Sequence, residues 1–205
     1  MKIYQTQDIR NIALVGGAKS GKTSMAEAMA FCGGLINRRG SVDAKNTISD
    51  YRDIEHDRGY SVENTLMYTE FGGKKVNILD VPGFADYQGE LVSALNVVEA
   101  AVVVVNAQSG VEVGNRYAAK LDTPMIFVVN HLDAEKANFD ESVNQLKDFF
   151  GQKCTVLQFP TNAGLGFNQV VDIVANKMYT FTDGKYTEAD IPSQYADKAE
   201  EMRMA

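Results

Sequence analysis

The sequence predicts an α/β fold: a mostly parallel sheet with helices on both faces. Three observations predict it. Ala100 to Asn106 (AAVVVVN) and Pro124 to Asn130 (PMIFVVN) are continuous apolar runs, as expected of strands buried on both sides. Helical segments alternate with these runs, the pattern that crossover connections impose. Asn11 to Val15 (NIALV) leads into a glycine-rich turn that opens a helix.

The elements follow in order. NIALV is a short buried strand. Lys22 to Cys32 is a helix, with Met25, Ala26, Met29 and Ala30 at helical spacing. From Gly33 to about Glu63 periodicity is lost, and an aperiodic stretch of that length inside a compact domain is usually functional or disordered. Thr65 to Phe71 alternates like a strand, Gly72-Gly73 turns the chain, and Lys75 to Asp80 returns. A helix is expected over about Asp86 to Glu99, then the strand AAVVVVN. A helix around Glu112 to Lys120, the strand PMIFVVN, a helix over Asp140 to Phe150 and a strand CTVLQF (Cys154 to Phe159) come next. After Phe167 the texture changes. NQVVDIVANK can be helical, MYTF-TDG-KYTE reads as a hairpin through Asp183-Gly184, and a last helix covers Gln194 to Arg203.

The totals bound the class. A chain of 205 residues with 45% hydrophobic and 23% charged content has enough apolar material for a real core. Its net charge of −7 argues against a bare nucleic-acid-binding module. Cys32 and Cys154 do not make a disulfide framework and read as small buried side chains in a reducing compartment. The N-terminus MKIYQTQDIR lacks the apolar stretch of a signal peptide, and no apolar run is long enough to span a membrane. The expectation is a soluble cytoplasmic protein without membrane partners.

Four stretches carry chemistry. Gly16-Gly-Ala-Lys-Ser-Gly-Lys-Thr23 fits G-x-x-x-x-G-K-[ST] between a strand and a helix, which makes the fold a P-loop NTPase fold. Its backbone N–H groups can cradle phosphate oxygens, helped by the helix N-terminus. Lys22 would bridge the terminal phosphates and Thr23 would ligate Mg²⁺. The nucleotide-binding set is Gly16, Gly17, Ala18, Lys19, Ser20, Gly21, Lys22, Thr23 and Ser24. Asp80 ends the run VNILD, where an acid can hold Mg²⁺, and Gly83 of DVPGFADY can turn its N–H toward a γ-phosphate. Asn130-His-Leu-Asp133 resembles the N-K-x-D pattern of guanine recognition. A carboxylate at Asp133 accepts two hydrogen bonds that adenine cannot offer, and a mismatch strands a buried charge. His131 stands where that pattern has Lys and could stack on the base instead. Ser61, in Asp57-Arg-Gly-Tyr-Ser-Val62, supplies a hydroxyl that a loop can close onto Mg²⁺.

These four sites, in this order, resemble the GTP-binding domain of translational GTPases, elongation factor G and its relatives above all. Residues outside the nucleotide motifs join the resemblance. GSVDAKNTISDYRDIEHDRGYSV is similar to that family's first switch, and VNILDVPGFADYQGELVSALNVVEAAVVVVNAQSGVEVGN to its second switch and following strand. NQVVDIVANKMYTFTDGKYTEADIPSQY resembles the start of the insertion that elongation factor G carries inside this domain. The resemblance implies GTP and GDP as ligands, Mg²⁺ held by Thr23, Ser61 and Asp80, and the ribosome as partner through the full-length parent. It divides the chain at residue 175, with 1–175 as the nucleotide-binding core and 176–205 as the start of the insertion. The family's last guanine-contacting loop is expected beyond Ala205, although Thr161-Asn-Ala163 superficially looks like it. The ribosomal-protection proteins against tetracycline share this domain and are the second reading. A P-loop ATPase or kinase is a third, which Asp133 opposes.

Four departures bear on activity. The family's water-positioning His, directly after D-x-P-G, is Phe84 here, and a phenyl ring neither orients a water nor takes a proton. Losing such a group typically lowers a rate roughly 10²- to 10⁴-fold. The family's P-loop Asp is Lys19, which could place an ammonium near the β–γ bridge or simply be a solvated loop lysine. The switch threonine is Ser61 and the guanine-motif Lys is His131. The expectation is a GTP switch whose intrinsic hydrolysis is weakened.

Overall fold

The computed structural model describes residues 2–112, 123–151 and 154–204. The helix expected around Glu112 to Lys120 lies outside the described residues, apart from Glu112 itself. The chain divides into two units, Met1–Asn106 with Glu112–Asn130, and Ala107–Val111 with His131–Ala205.

The first unit is built on a five-stranded sheet in the order β2-β3-β1-β4-β5. Its strands are β1 (Ile9–Gly16), β2 (Thr65–Phe71), β3 (Lys74–Asp80), β4 (Ala100–Asn106) and β5 (Met125–Asn130). Strands β3, β1, β4 and β5 run parallel; β2 joins β3 as an antiparallel hairpin across Gly72-Gly73, both at positive φ. Among the described residues of this unit the helices are α1 (Lys22–Cys32), α2 (Asp53–Arg58) and α3 (Gln88–Leu95). The chain moves from β1 through α1 toward β3 on one side, then from β3 through α3 to β4 on the other. Right-handed crossovers in opposite directions put α1 and α3 on opposite faces. Burial agrees with this. On one face Leu14 and Ile78 pack with Ala26 of α1 and Met67, while the alternate residues Ala13, Val15, Val103 and Val105 are also fully buried. Helix α3 packs on β1 and buries Leu91, Ala94 and Leu95.

Register fixes where a site can form. Leu14 lies opposite Asp80, Gly16 opposite Val104, and Asn106 opposite Asn130. The glycine-rich loop, Asp80 and Asn130 therefore leave the sheet at one carboxyl edge. The connections from β1 and β3 diverge there, which is where ligands bind in open parallel sheets.

The second unit carries α4 (Phe139–Phe150), strands β6 (Gln158–Pro160), β7 (Gln169–Asp172), β8 (Lys177–Thr182) and β9 (Lys185–Asp190), and α5 (Ser193–Met204). The four strands form an antiparallel sheet in sequence order. Its core is Phe159, Val171, Ile173 and Ala199. The hairpin of β8 and β9 turns through Asp183-Gly184, both at positive φ as a two-residue turn requires.

Several expectations are corrected. CTVLQF does not extend the parallel sheet: only Gln158–Pro160 is strand, and it pairs antiparallel with β7. NQVVDIVANK is not helical. Val171 faces the core, and the Asp172 carboxylate accepts the amides of Val174 (2.9 Å) and Ala175 (2.7 Å), a local turn that stops the strand before a helix can start. The helix expected from Asp86 begins at Gln88, after a 3₁₀ turn over Ala85–Tyr87, and ends at Leu95. Cys32 is exposed at the end of α1 rather than buried, and Cys154 is half-buried; neither is bridged. Among the described residues no helix is long and apolar enough to cross a membrane.

Candidate functional site

The glycine-rich loop takes the shape its sequence requires. Gly16 sits at φ 149°, where a Cβ would run into the backbone oxygen of Val104. Gly21, at φ 97°, caps the N-terminus of α1. Lys22, the first residue of α1, is only 6% exposed, and its ammonium donates to the carbonyls of Gly16 (3.2 Å) and Gly17 (2.7 Å). Burial pushes the Lys22 ammonium below its usual value, while Asp80, Glu112 and Asp50 hold it up. Gly83 closes on this loop from the β3 side. A Cβ there would lie 2.5 Å from Lys22 Nζ and 2.7 Å from the amide nitrogen of Ala18, so no side chain fits. Ala18 is half-buried, Ser20 is buried with an unpartnered hydroxyl, and Lys19 and Ser24 are exposed, Lys19 at φ 60°.

A cluster of oxygens forms beside the loop. Asp80 is fully buried at the end of β3, and its Oδ2 accepts the hydroxyls of Thr23 (2.7 Å) and Ser49 (2.5 Å). Its Oδ1 is buried without a partner. Ser61 Oγ lies 3.5 Å from Thr23 Oγ1 and donates to Asp50 Oδ1 at 2.6 Å. Burial raises the Asp80 and Asp50 carboxyls above the usual carboxylate range, against the hydroxyl donors and Lys22. A buried carboxylate with an orphaned oxygen, next to two hydroxyls and a second carboxylate, suits a hard cation that takes oxygen ligands. The structure brings Thr23, Ser61 and Asp80 together.

The sequence did not single out Ser49, Asp50, Glu27 or Glu55. All four are buried, and they fold the aperiodic segment. Glu27 of α1 accepts the amides of Gly40 (2.8 Å) and Ile48. Glu55 of α2 accepts those of Arg52 (3.3 Å) and Val62 (3.1 Å). Thr65 donates to the Ser49 carbonyl at 3.0 Å. The one available signal was the density of polar residues in a stretch too long to be a plain connection.

Phe84 is 38% exposed, and its ring centroid lies 4.4 Å from that of Tyr60. It lines a small cavity with Gly16, Pro82, Gly83, Tyr87 and Leu91. At the far end of the sheet edge, the Asn130 side-chain amide donates to the Ser20 carbonyl at 2.9 Å, tying β5 to the loop. His131 and Asp133 belong to the second unit. His131 has φ 59° and a buried, unpartnered Nε2, while Asp133 is exposed. Within that unit the Gly164 amide donates to the Leu132 carbonyl at 2.7 Å, which holds Thr161-Asn-Ala163 beside the NHLD turn.

Known proteins fit this arrangement. The family described as the Elongation factor Tu GTP binding domain matches residues 7–187. The chain belongs to that family.

This GTP-binding domain is 33% identical over 200 residues to the Elongation factor G-like protein of Thermotoga maritima, covering 96% of this chain and 29% of the relative. It is 30% identical over 203 residues to Elongation factor G of Mycoplasma pneumoniae, covering 96% and 30%. A crystal structure of a Thermus thermophilus protein superposes with a TM-score of 0.89 at 31% identity, over 96% of this chain and 30% of the other. The GTP-binding domain thus spans under a third of the length of these relatives. The match implies guanine nucleotide as the ligand of the loop.

Proposed function

We propose that this GTP-binding domain is the Mg²⁺-dependent guanine-nucleotide switch of an elongation-factor-G-like factor that acts on the ribosome, with slow intrinsic hydrolysis. The observation that carries the reading is Asp80. It is buried at the end of β3, bonded to Thr23 and Ser49, with one oxygen left over, while Ser61, bonded to Asp50, lies 3.5 Å from the Thr23 hydroxyl. Thr23, Ser61 and Asp80 would hold Mg²⁺, which would neutralise charge on the terminal phosphates. The chain's own groups do the rest. Backbone amides from Gly16 to Thr23 bind phosphate oxygens, and Lys22 exchanges its two carbonyl partners for them. Gly83, already against the loop, offers its N–H to the last phosphate. Asn130 fixes the loop from behind, and Asp133 with His131 would recognise guanine.

No polar side chain occupies position 84. Weak intrinsic turnover follows, and the switch would act by binding rather than by rapid hydrolysis. Lys19, exposed at the loop's bend, would approach a developing charge from solvent. Residues 176–205 would begin an insertion on a core of 1–175; the extra antiparallel sheet supports an insertion, although its first strands, β6 and β7, precede that boundary. Equilibrium binding of GTP, GDP and ATP to the full-length protein, with and without Mg²⁺, tests the reading. Tight Mg²⁺-dependent guanine binding with ATP at least ~10²-fold weaker supports it. Equal competition by ATP refutes it.

A further inference from the structure

We propose that Tyr60 and Phe84 form an aromatic clasp that makes the loop ending at Ser61 and the loop following Asp80 open and close together. The proposal deepens the guanine-nucleotide reading and rests on it for one of its two readouts.

The two rings belong to segments far apart in the chain and meet at 4.4 Å between centroids, tilted by 55°. That is the close, non-parallel arrangement aromatic pairs prefer. Phe84 keeps over a third of its surface exposed, so core burial does not account for its place. A second tie runs alongside. Arg58 Nη1 donates to the Tyr87 hydroxyl at 2.9 Å, and its guanidinium lies 6.0 Å from the Tyr60 ring centroid. Tyr87 in turn donates its amide to the Phe84 carbonyl at 3.1 Å, so both ties pull on the same turn.

Each ring's neighbour in sequence is a site residue. Beside Tyr60 stands Ser61, bonded to Asp50 and near Thr23. Beside Phe84 stands Gly83, too close to Lys22 and Ala18 to take a side chain. A displacement of either ring therefore moves a group at the metal cluster or at the phosphate loop. A phenyl ring does no acid–base chemistry, but it grips a second ring. On this account position 84 serves mechanical coupling, and it slows nucleotide release by requiring both loops to open at once.

The test uses the full-length protein with Tyr60→Ala, Phe84→Ala and the double variant. Amide hydrogen exchange is followed in 58–62 and 81–88, and dissociation of a fluorescent GDP analogue in parallel. Tyr60→Ala is expected to raise exchange in 81–88 and Phe84→Ala in 58–62, each ~2- to 10-fold. Release should quicken by a similar factor, and the double variant should be no faster than the faster single one. Tyr60→Phe and Phe84→Tyr keep the rings and should keep cross-loop protection. Exchange that rises only in the mutated loop, or release rates that multiply in the double variant, would overturn the clasp. So would Tyr60→Phe behaving like Tyr60→Ala, since the hydroxyl would then be the tie. Failure of the wild type to bind the GDP analogue would sink the guanine reading instead, and the exchange data would still decide the clasp.

Discussion

Asp80→Asn separates the two things a buried carboxylate can do here, holding its neighbours and holding a cation. Oδ2 accepts from Thr23 and Ser49, while Oδ1 has no partner. An amide whose oxygen takes the place of Oδ2 keeps both hydroxyl bonds, weakened by about 1–3 kcal/mol for loss of their charge assistance. Against this, the variant no longer buries a charge, a relief of several kcal/mol on the scale of about 3–5 kcal/mol for an uncompensated ion. Lys22 compensates in part. Without metal the variant should therefore be as stable as wild type or slightly more so. The folded-state values of Asp80 and Asp50 are raised, so their contribution to stability is full below the unfolded value and is lost as pH rises through the folded one. Metal-free wild type should lose stability across that window, and Asp80→Asn should lose less. Mg²⁺ held as proposed should reverse the order. At a hundred times its Kd a ligand stabilises by about 2.7 kcal/mol, which in a protein of this size raises Tm by roughly 5–10 °C. The assay is thermal unfolding at fixed GDP over a Mg²⁺ titration. An Asp80→Asn protein that gains the same Mg²⁺ shift as wild type would refute the argument, because the orphaned oxygen would then not be a ligand.

Other consequences are as direct. Asp133→Asn should lower the preference for guanine over adenine nucleotides by at least ~10²-fold in competition binding, with phosphate affinity little changed. Glu27→Ala removes the acceptor of two amides and should raise hydrogen exchange at Gly40 and Ile48, with a stability loss of about 1–3 kcal/mol. Ile78→Ala, fully buried against Leu14 and Ala26, should destabilise by about 2–5 kcal/mol in denaturant without altering guanine selectivity.

Much of this was legible in the sequence because it is written locally. The loop Gly16 to Thr23 announces itself by residue type and spacing, and AAVVVVN and PMIFVVN by their unbroken apolarity. What the sequence hid depends on contacts between distant residues. Ser49 and Asp50 look like ordinary loop residues until the chain folds back over α1, and Glu27 looks like the polar side of a helix until Gly40 and Ile48 dock on it. QVVD reads as helix or strand equally well, and its pairing with β8 and the Asp172 turn decide for strand. In the sequence Phe84 stands out only for the chemistry it lacks. Its partner Tyr60 could not be read at all, since no local pattern links the two positions.

The most direct test of the central claim is ribosome-stimulated GTP hydrolysis by the full-length protein, wild type beside Phe84→His. Wild-type turnover is expected to be slow, and Phe84→His should raise it by part of the roughly 10²- to 10⁴-fold that a positioned acid–base group contributes. Fast turnover by wild type, unchanged in Phe84→His, would contradict it and place the catalytic group elsewhere in the protein.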